Sequence, residues 1–216
     1  MTDGKSRRPR SDQPLVVYGD LNCPFCFVLE ERLSRRSVTP GVEWRLVEHD
    51  PELPFNGDFA TPEQLEQLGV ETEALLERAP DVSITLPRFR SNSRRAIEAV
   101  AEAMLVDPEK ADALRRRLFG ALWHEGRDIA NVELLIALAE ELGLPIPRGR
   151  PEAKALKQRW THEWRAAGFR RIPVLLSSHD AVLEGLPTIE RLDAFLRSGR
   201  LSASNEQACE RPPRVR

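Results

Sequence analysis

The sequence predicts an α/β chain: a β-α-β unit at the front, a β-β-α unit at the back, and a large all-helical insertion between the halves. Three observations carry this. A short apolar run, Leu15-Val16-Val17-Tyr18, precedes a helix-spaced apolar set and then an alternating run from Val42 to Leu46. From Thr61 to about Ala166 the periodic signals are helical. Two short apolar runs and one last amphipathic stretch close the body.

Taken in order, the first run suits a buried strand and ends at Gly19-Asp20. A cysteine pair follows, then Val28, Leu29 and Leu33 at helical spacing, broken by Thr39-Pro40-Gly41. Val42, Trp44 and Leu46 alternate with Glu43 and Arg45, a second strand. Thr61-Pro62 is a helix start, with threonine as N-cap and proline at the first helical position. Ile97, Val100, Ala101, Met104 and Leu105 share one helical face. Asp107-Pro108 starts another helix, with Leu114, Leu118 and Leu122 inward. Asn131 caps a further helix carrying Leu134, Leu135, Leu138 and Leu142, and Leu156, Trp160 and Trp164 mark one more, with the tryptophans read as core. Val174-Leu175-Leu176 and Ala181-Val182-Leu183 flank the turn-like Ser177-Ser178-His179-Asp180 as a hairpin. Thr188 caps a last helix with Ile189, Leu192, Phe195 and Leu196 inward, stopped by Gly199.

The body is therefore read as 14–201, its two halves 14–57 and 167–201 interrupted by an insertion at 58–166. Residues 1–13 and 202–216 are polar and aperiodic, and are read as disordered tails.

The chain of 216 residues carries a formal net charge of −2, which argues against nucleic acid or a membrane surface as partner. No segment approaches the ~18 apolar residues of a membrane span. Arg7 and Arg8 are not followed by an apolar signal region, so a cytoplasmic, reducing setting is expected. In that setting three cysteines, two of them three positions apart, point to redox or metal chemistry rather than to stapling.

The chemistry is expected at Cys23-Pro24-Phe25-Cys26. Cys23 falls where a strand ends and a helix begins, and the free N–H groups and helix dipole there favour a thiolate. Cys26, one turn on, can attack a mixed disulfide formed at Cys23. Pro24 fits the first turn, where its missing N–H costs nothing. Two plainer readings remain open: half of a zinc site, and two inert core cysteines. No second C-x-x-C follows, and His49, His124, His162 and His179 are scattered without ligand spacing, so no metal is expected. Ile172-Pro173 opens the strand at Val174, a position proline tolerates in any sheet.

Five stretches stand in order along the chain: Tyr18-Gly19-Asp20-Leu21-Asn22-Cys23-Pro24-Phe25-Cys26; Val42 through Glu52; Ser91-Asn92-Ser93 with Ala96 and Ala99; Phe119, Gly126, Asp128 and Ile129; and Ile172-Pro173-Val174 with Gly185-Leu186-Pro187. Together they resemble the DsbA-like thioredoxin-fold family, specifically the FrnE-like branch found in bacteria. The resemblance covers about 14–200. It implies a thioredoxin-like fold and thiol–disulfide exchange, with Cys23 as nucleophile and Cys26 as resolving thiol. It implies that Pro173 is a cis-proline facing substrate, and that the backbone of Ile172 pairs with an extended peptide or a glutathione moiety. Pro24, Phe25 and Arg171 join the expected substrate-binding set. The implied partners are protein or small-molecule thiols and disulfides; a homodimer is admitted. No cofactor is expected, with glutathione admitted as a co-substrate.

The chain also departs from that pattern. Phe25 stands where the strongly oxidising members carry histidine, so no imidazole lies between the cysteines and Cys23 is expected to be less acidic than theirs. Val17 stands where those members bury an acid, so proton transfer at Cys26 needs another group or water. Arg171 is read as a solvated charge or as a cation near the substrate thiolate. His49 is read as a surface or loop residue, and Arg115-Arg116-Arg117 as a solvated helix face. One of Phe25 and Phe27 is expected beside the site. Cys209 falls in the tail. Two competing readings are a glutathione-dependent isomerase or transferase of the same fold, and a binding module with vestigial cysteines.

Overall fold

The computed structural model describes residues 14–38, 41–55, 58–59, 61–177 and 181–198. Cys209, His179, Gly199 and both tails lie outside them.

Strand β1 (Leu15–Gly19) pairs in parallel with β2 (Val42–Leu46), from Leu15 opposite Val42 to Gly19 opposite Leu46. Between them runs helix α1 (Pro24–Ser34), whose Cys26, Phe27, Val28, Leu29 and Leu33 are buried. A parallel pair requires such a crossover, and the buried β-branched run explains why β1 occupies the sheet interior. At the far end of the chain, β5 (Val174–Leu176) pairs antiparallel with β1 and with β6 (Val182–Glu184). The sheet order is β2-β1-β5-β6. Helix α7 (Ile189–Ser198) follows, and the backbone N–H of Arg191 donates to Thr188 Oγ1 at 3.3 Å.

The insertion adds helices α2 (Pro62–Arg78), α3 (Arg94–Met104), α4 (Pro108–Trp123), α5 (Val132–Glu141) and α6 (Pro151–Ala166). Their starts are set by the expected side chains. Thr61 and Gln64 form a reciprocal capping box, Asp107 Oδ1 accepts from the N–H groups of Glu109 and Lys110 at 3.1 Å, and Asn131 Oδ1 accepts from Leu134 N–H at 3.0 Å. Each such cap contributes about 1 kcal/mol. The start of α6 is handled differently: Glu102 Oε2, reaching from α3, accepts the N–H groups of Arg148, Gly149 and Arg150 at 3.1–3.3 Å.

Two features depart from the sequence expectation. Strands β3 (Asp58–Phe59) and β4 (Phe89–Arg90) form a two-stranded antiparallel ladder, and both fall inside the insertion at 58–166 read as all-helical. Two residues are too few to show a period. The second departure is Arg115. Instead of lying on a solvated face, it is buried, donates to both Glu30 oxygens at 2.6 and 3.2 Å, and packs its guanidinium 4.7 Å from the centre of the Trp44 ring. It also pairs with Asp112. Arg116 and Arg117 are exposed or nearly so and pair with surface carboxylates.

One apolar cluster runs without a break from Leu15 in β1 to Phe195 in α7 and includes α3, α4, α5 and α6. Phe119 of α4 lies 6.2 Å from Phe27 of α1 and 5.7 Å from Trp44 of β2, ring centre to ring centre. The insertion thus packs onto the same elements that carry the cysteines. Arg32 locks α1 from its other side, donating to the carbonyls of Pro187 at 2.8 Å and Arg78 at 3.0 Å, and to Asp81 at 3.2 Å. Charged donors of this kind are worth about 1.5–3 kcal/mol each.

Candidate active site

Cys23 is the N-cap of α1, with extended backbone, and Pro24 occupies the first helical turn. The loop before it is held from several directions. Trp123 Nε1 of α4 donates to Leu21 O at 2.8 Å, and Asn22 Nδ2 donates to Ser91 O at 3.2 Å. The N–H of Cys23 returns to Asp20 O at 3.3 Å. A helix start with its N–H groups free and its approach fixed by the insertion is suited to hold a thiolate in one place.

Both thiols are free and buried, Cys23 at 5% exposure and Cys26 at 0%. They are hydrogen-bonded to one another, with opposite consequences. The hydrogen bond from Cys26 lowers the Cys23 pKa; burial works against this, while the nearby His49 charge and the Cys26 backbone N–H lower it further. Burial pushes Cys26 well above the usual thiol value, and the hydrogen bond to Cys23 and its charge push in the same direction. The two cysteines therefore differ in acidity in the sense disulfide exchange requires: a more acidic Cys23 on the outside and a less acidic Cys26 within.

Gly19 explains how Cys26 is accommodated. A β-carbon at this position would come 2.7 Å from Trp44 Cζ3 and 3.0 Å from Cys26 Sγ, closer than packed carbons tolerate. The absence of a side chain lets the Trp44 ring and the Cys26 sulfur both close over the strand end.

Asp20, the next residue, is fully buried. Its Oδ2 accepts from both the backbone N–H and the ring Nδ1 of His49, each at 2.9 Å. A buried acid is thus present beside the cysteines, three residues after Val17, and the Asp20 backbone N–H is hydrogen-bonded to the Cys26 sulfur. The sequence alone reads His49 as a surface or loop residue. It does lie in a loop and keeps 38% side-chain exposure, but it is tied to Asp20 and lies close enough to Cys23 to act on its charge. The parallel β1–β2 register was the available signal. With Gly19 opposite Leu46, the residues just beyond both strand ends must meet.

A cavity of about 250 Å³ opens over Cys23. Pro24, Phe25, Leu53, Leu68, Phe89 and Trp123 give it an apolar wall, and His49, Asp50, Glu71 and Arg90 supply its charges. Ser91 and Asn92 fix its rim: Ser91 Oγ accepts from Ala130 N–H at 3.2 Å, and Asn92 Nδ2 donates to Leu53 O at 2.9 Å. Phe25 is partly exposed here, whereas Phe27 is core.

Of the expected residues, Cys23, Pro24 and Phe25 line this cavity, and Cys26 lies beneath it. The Ile172–Pro173 peptide bond is cis. Tyr18 is opposite Val174 in the β1–β5 ladder, so the next step of that antiparallel register brings Pro173 beside Gly19. Ile172 and Pro173 are not part of the cavity wall. Arg171 is exposed, and its carbonyl accepts from Trp164 Nε1 at 3.2 Å. It is not among the cavity residues either. Among the described residues no group of three or more His, Cys, Asp or Glu side chains could hold a metal, and no helix is long and apolar enough to cross a membrane.

The family model of the DSBA-like thioredoxin domain matches residues 14–149. The chain belongs to this family. Among curated proteins, this DSBA-like chain is 24% identical to the uncharacterized protein YwbO of Bacillus subtilis (strain 168) over 193 residues, which is 79% of the chain and 89% of YwbO. Two solved structures share its fold. One is SCO1869 of Streptomyces coelicolor, a probable DsbA oxidoreductase: TM-score 0.66, 15% identity, 85% of this chain and 88% of that one. The other is a candidate protein disulfide isomerase from Nitrosomonas europaea: TM-score 0.62, 20% identity, 86% of this chain and 98% of that one. The α/β thioredoxin-like architecture read from the sequence is the architecture of these DSBA-like proteins.

Proposed function

We propose that this DSBA-like chain is a thiol–disulfide oxidoreductase working through Cys23 and Cys26. The observation that carries the proposal is the opposed acidity of two hydrogen-bonded thiols at a helix N-terminus, beneath an open cavity. In the reducing direction, the Cys23 thiolate attacks one sulfur of a substrate disulfide and expels the other as thiolate. Cys26 then gives up its proton and attacks the Cys23 sulfur, releasing the second substrate thiol and leaving a Cys23–Cys26 disulfide. The oxidising direction is the reverse, and the redox partner that resets the pair sets the net direction.

Substrates are proposed to be protein or small-molecule thiols and disulfides, with glutathione as a co-substrate and a cytoplasmic setting. Pro24 and Phe25 are proposed to contact substrate at the cavity wall. The cis bond before Pro173 and its place beside Gly19 support a substrate-facing role for the Ile172 backbone. The Asp20-to-Cys26 run supports membership of the FrnE-like branch.

Trapping tests the order of attack. Cys26→Ser is expected to accumulate a mixed disulfide at Cys23 that survives non-reducing electrophoresis, while Cys23→Ser accumulates none. Adducts forming at Cys26 instead would reverse the assignment. Full turnover of Cys26→Ala with glutathione would favour the isomerase reading of the same fold.

A further inference from the structure

The Cys-Pro-Phe-Cys motif contains no imidazole, yet one stands close to Cys23 from another part of the chain. We propose that His49, oriented by the buried Asp20, is the cation that holds the Cys23 thiolate, so that the loop after β2 supplies the charge the motif lacks. The proposal goes beyond the redox reading, although it rests on Cys23 being its nucleophile.

The geometry restricts what His49 can do. A carboxylate is an acceptor, so the ring nitrogen 2.9 Å from Asp20 Oδ2 is a donor, Nδ1–H. A second bond, from the His49 backbone N–H to the same oxygen at 2.9 Å, fixes the residue relative to the carboxylate. Asp20 itself is anchored at the end of β1, and its main chain reaches both cysteines: its carbonyl accepts from Cys23 N–H at 3.3 Å, and its N–H is bonded to the Cys26 sulfur. Imidazole, carboxylate and thiol thus form one unit around the strand end, and His49 and Cys23 share the wall of one cavity.

The other charges facing this cavity do not offer a substitute. Arg90 from β4 is spent on Asp50, at 2.7 Å. Glu71 from α2 and Asp50 are anionic and would oppose a thiolate, as Asp20 does. Cys26 from α1 contributes a thiol hydrogen bond but no positive charge. Glu48, next to His49, is engaged by Arg94 at 2.8 Å and by Lys157 at 3.6 Å. Among the described residues, His49 is left as the cation placed to act on Cys23. Its titration agrees: burial of the ring opposes the charged form, but the hydrogen bond and charge of Asp20, with the charges of Cys23 and Asp50, raise its pKa. Because the ring is 38% exposed, solvent screens part of this coupling.

The test uses the full-length reduced protein. The rate of Cys23 alkylation by iodoacetamide is followed by site-resolved mass spectrometry across pH, which separates Cys23 from Cys26 and Cys209. Three proteins are compared: wild type, His49→Gln and His49→Lys. Glutamine keeps a donor for Asp20 but removes the charge; lysine restores a charge. His49→Gln is expected to raise the Cys23 midpoint by about one unit, slowing alkylation below that midpoint about tenfold. His49→Lys is expected to return the midpoint to the wild-type value or below. A wild-type midpoint in His49→Gln overturns the proposal, as does an equal rise in both variants, which would mark His49 as a loop tie only. The coupling must also be visible from the other side: blocking Cys23 lowers the His49 midpoint measured by NMR, and an unchanged midpoint counts against the proposal. None of these readings requires a disulfide to form, so failure of the redox reading is distinguishable from failure of this one.

Discussion

Replacing Cys23 with serine is expected to reduce disulfide turnover by at least about a thousandfold, the scale of losing an enzyme's nucleophile. The loss should appear in kcat, because serine keeps the size of the side chain and the cavity wall stays in place. The cause is chemical. A hydroxyl at this position gains the same hydrogen bonds from the Cys26 thiol and backbone N–H, but these cannot bring an alcohol into the ionisable range near neutral pH. Unfolding of Cys23→Ser in urea should match wild type within about 1 kcal/mol, since the side chain is small and remains hydrogen-bonded. Turnover of a small aromatic disulfide, measured together with the urea midpoint, separates a lost nucleophile from a lost fold. Residual turnover within tenfold of wild type would assign the nucleophile elsewhere.

The largest expected stability effect lies away from the thiols, at Arg115. Arg115→Ala removes both donors to Glu30, which is only 4% exposed, and leaves a carboxylate in the core between α1 and α4. Breaking one side of a buried ion pair typically costs about 3–5 kcal/mol, mostly through the stranded charge. The Trp44 ring also loses the guanidinium packed against it, and that ring lies over Gly19 beside Cys26. The double variant Glu30→Leu with Arg115→Met should recover most of the loss, because apolar groups of similar size fill the same space without a desolvation cost. Chemical-denaturation midpoints of wild type, Glu30→Leu, Arg115→Met and the double variant form a double-mutant cycle, with Arg115→Ala measured beside them. A single-variant loss below about 1 kcal/mol would show that Glu30 finds water or another partner.

Most of the fold was legible because its elements announce themselves locally. The β1 run, the alternation in β2, the caps at Thr61, Asp107 and Asn131, and the leucine faces of α4 and α5 are all contained within a few residues of sequence. What escaped was long-range pairing. Arg115 reads as one of three surface arginines until α4 packs on α1 and brings Glu30, 85 positions earlier, to its side. The β3–β4 ladder is two residues long and carries no period. At the site, the cysteine motif and the proline before β5 could be found by pattern. His49 shows in no local pattern and could be found only through the parallel pairing of β1 with β2, which brings the ends of the two strands together. Arg171, a charge two residues from a marked proline, was open in the sequence to both a solvated and a site role; it is exposed and is not among the residues lining the Cys23 cavity.

A working dithiol site at Cys23 and Cys26 is tested most directly by the redox equilibrium of the pair, read by thiol trapping in glutathione buffers of graded ratio. A single cooperative two-electron transition is expected, about 30 mV per decade. Its midpoint should fall between the values of thioredoxin, about −270 mV, and of DsbA, about −120 mV, since Cys23 is acidified without an imidazole inside the motif. Absence of a Cys23–Cys26 disulfide at every ratio would contradict a working dithiol site.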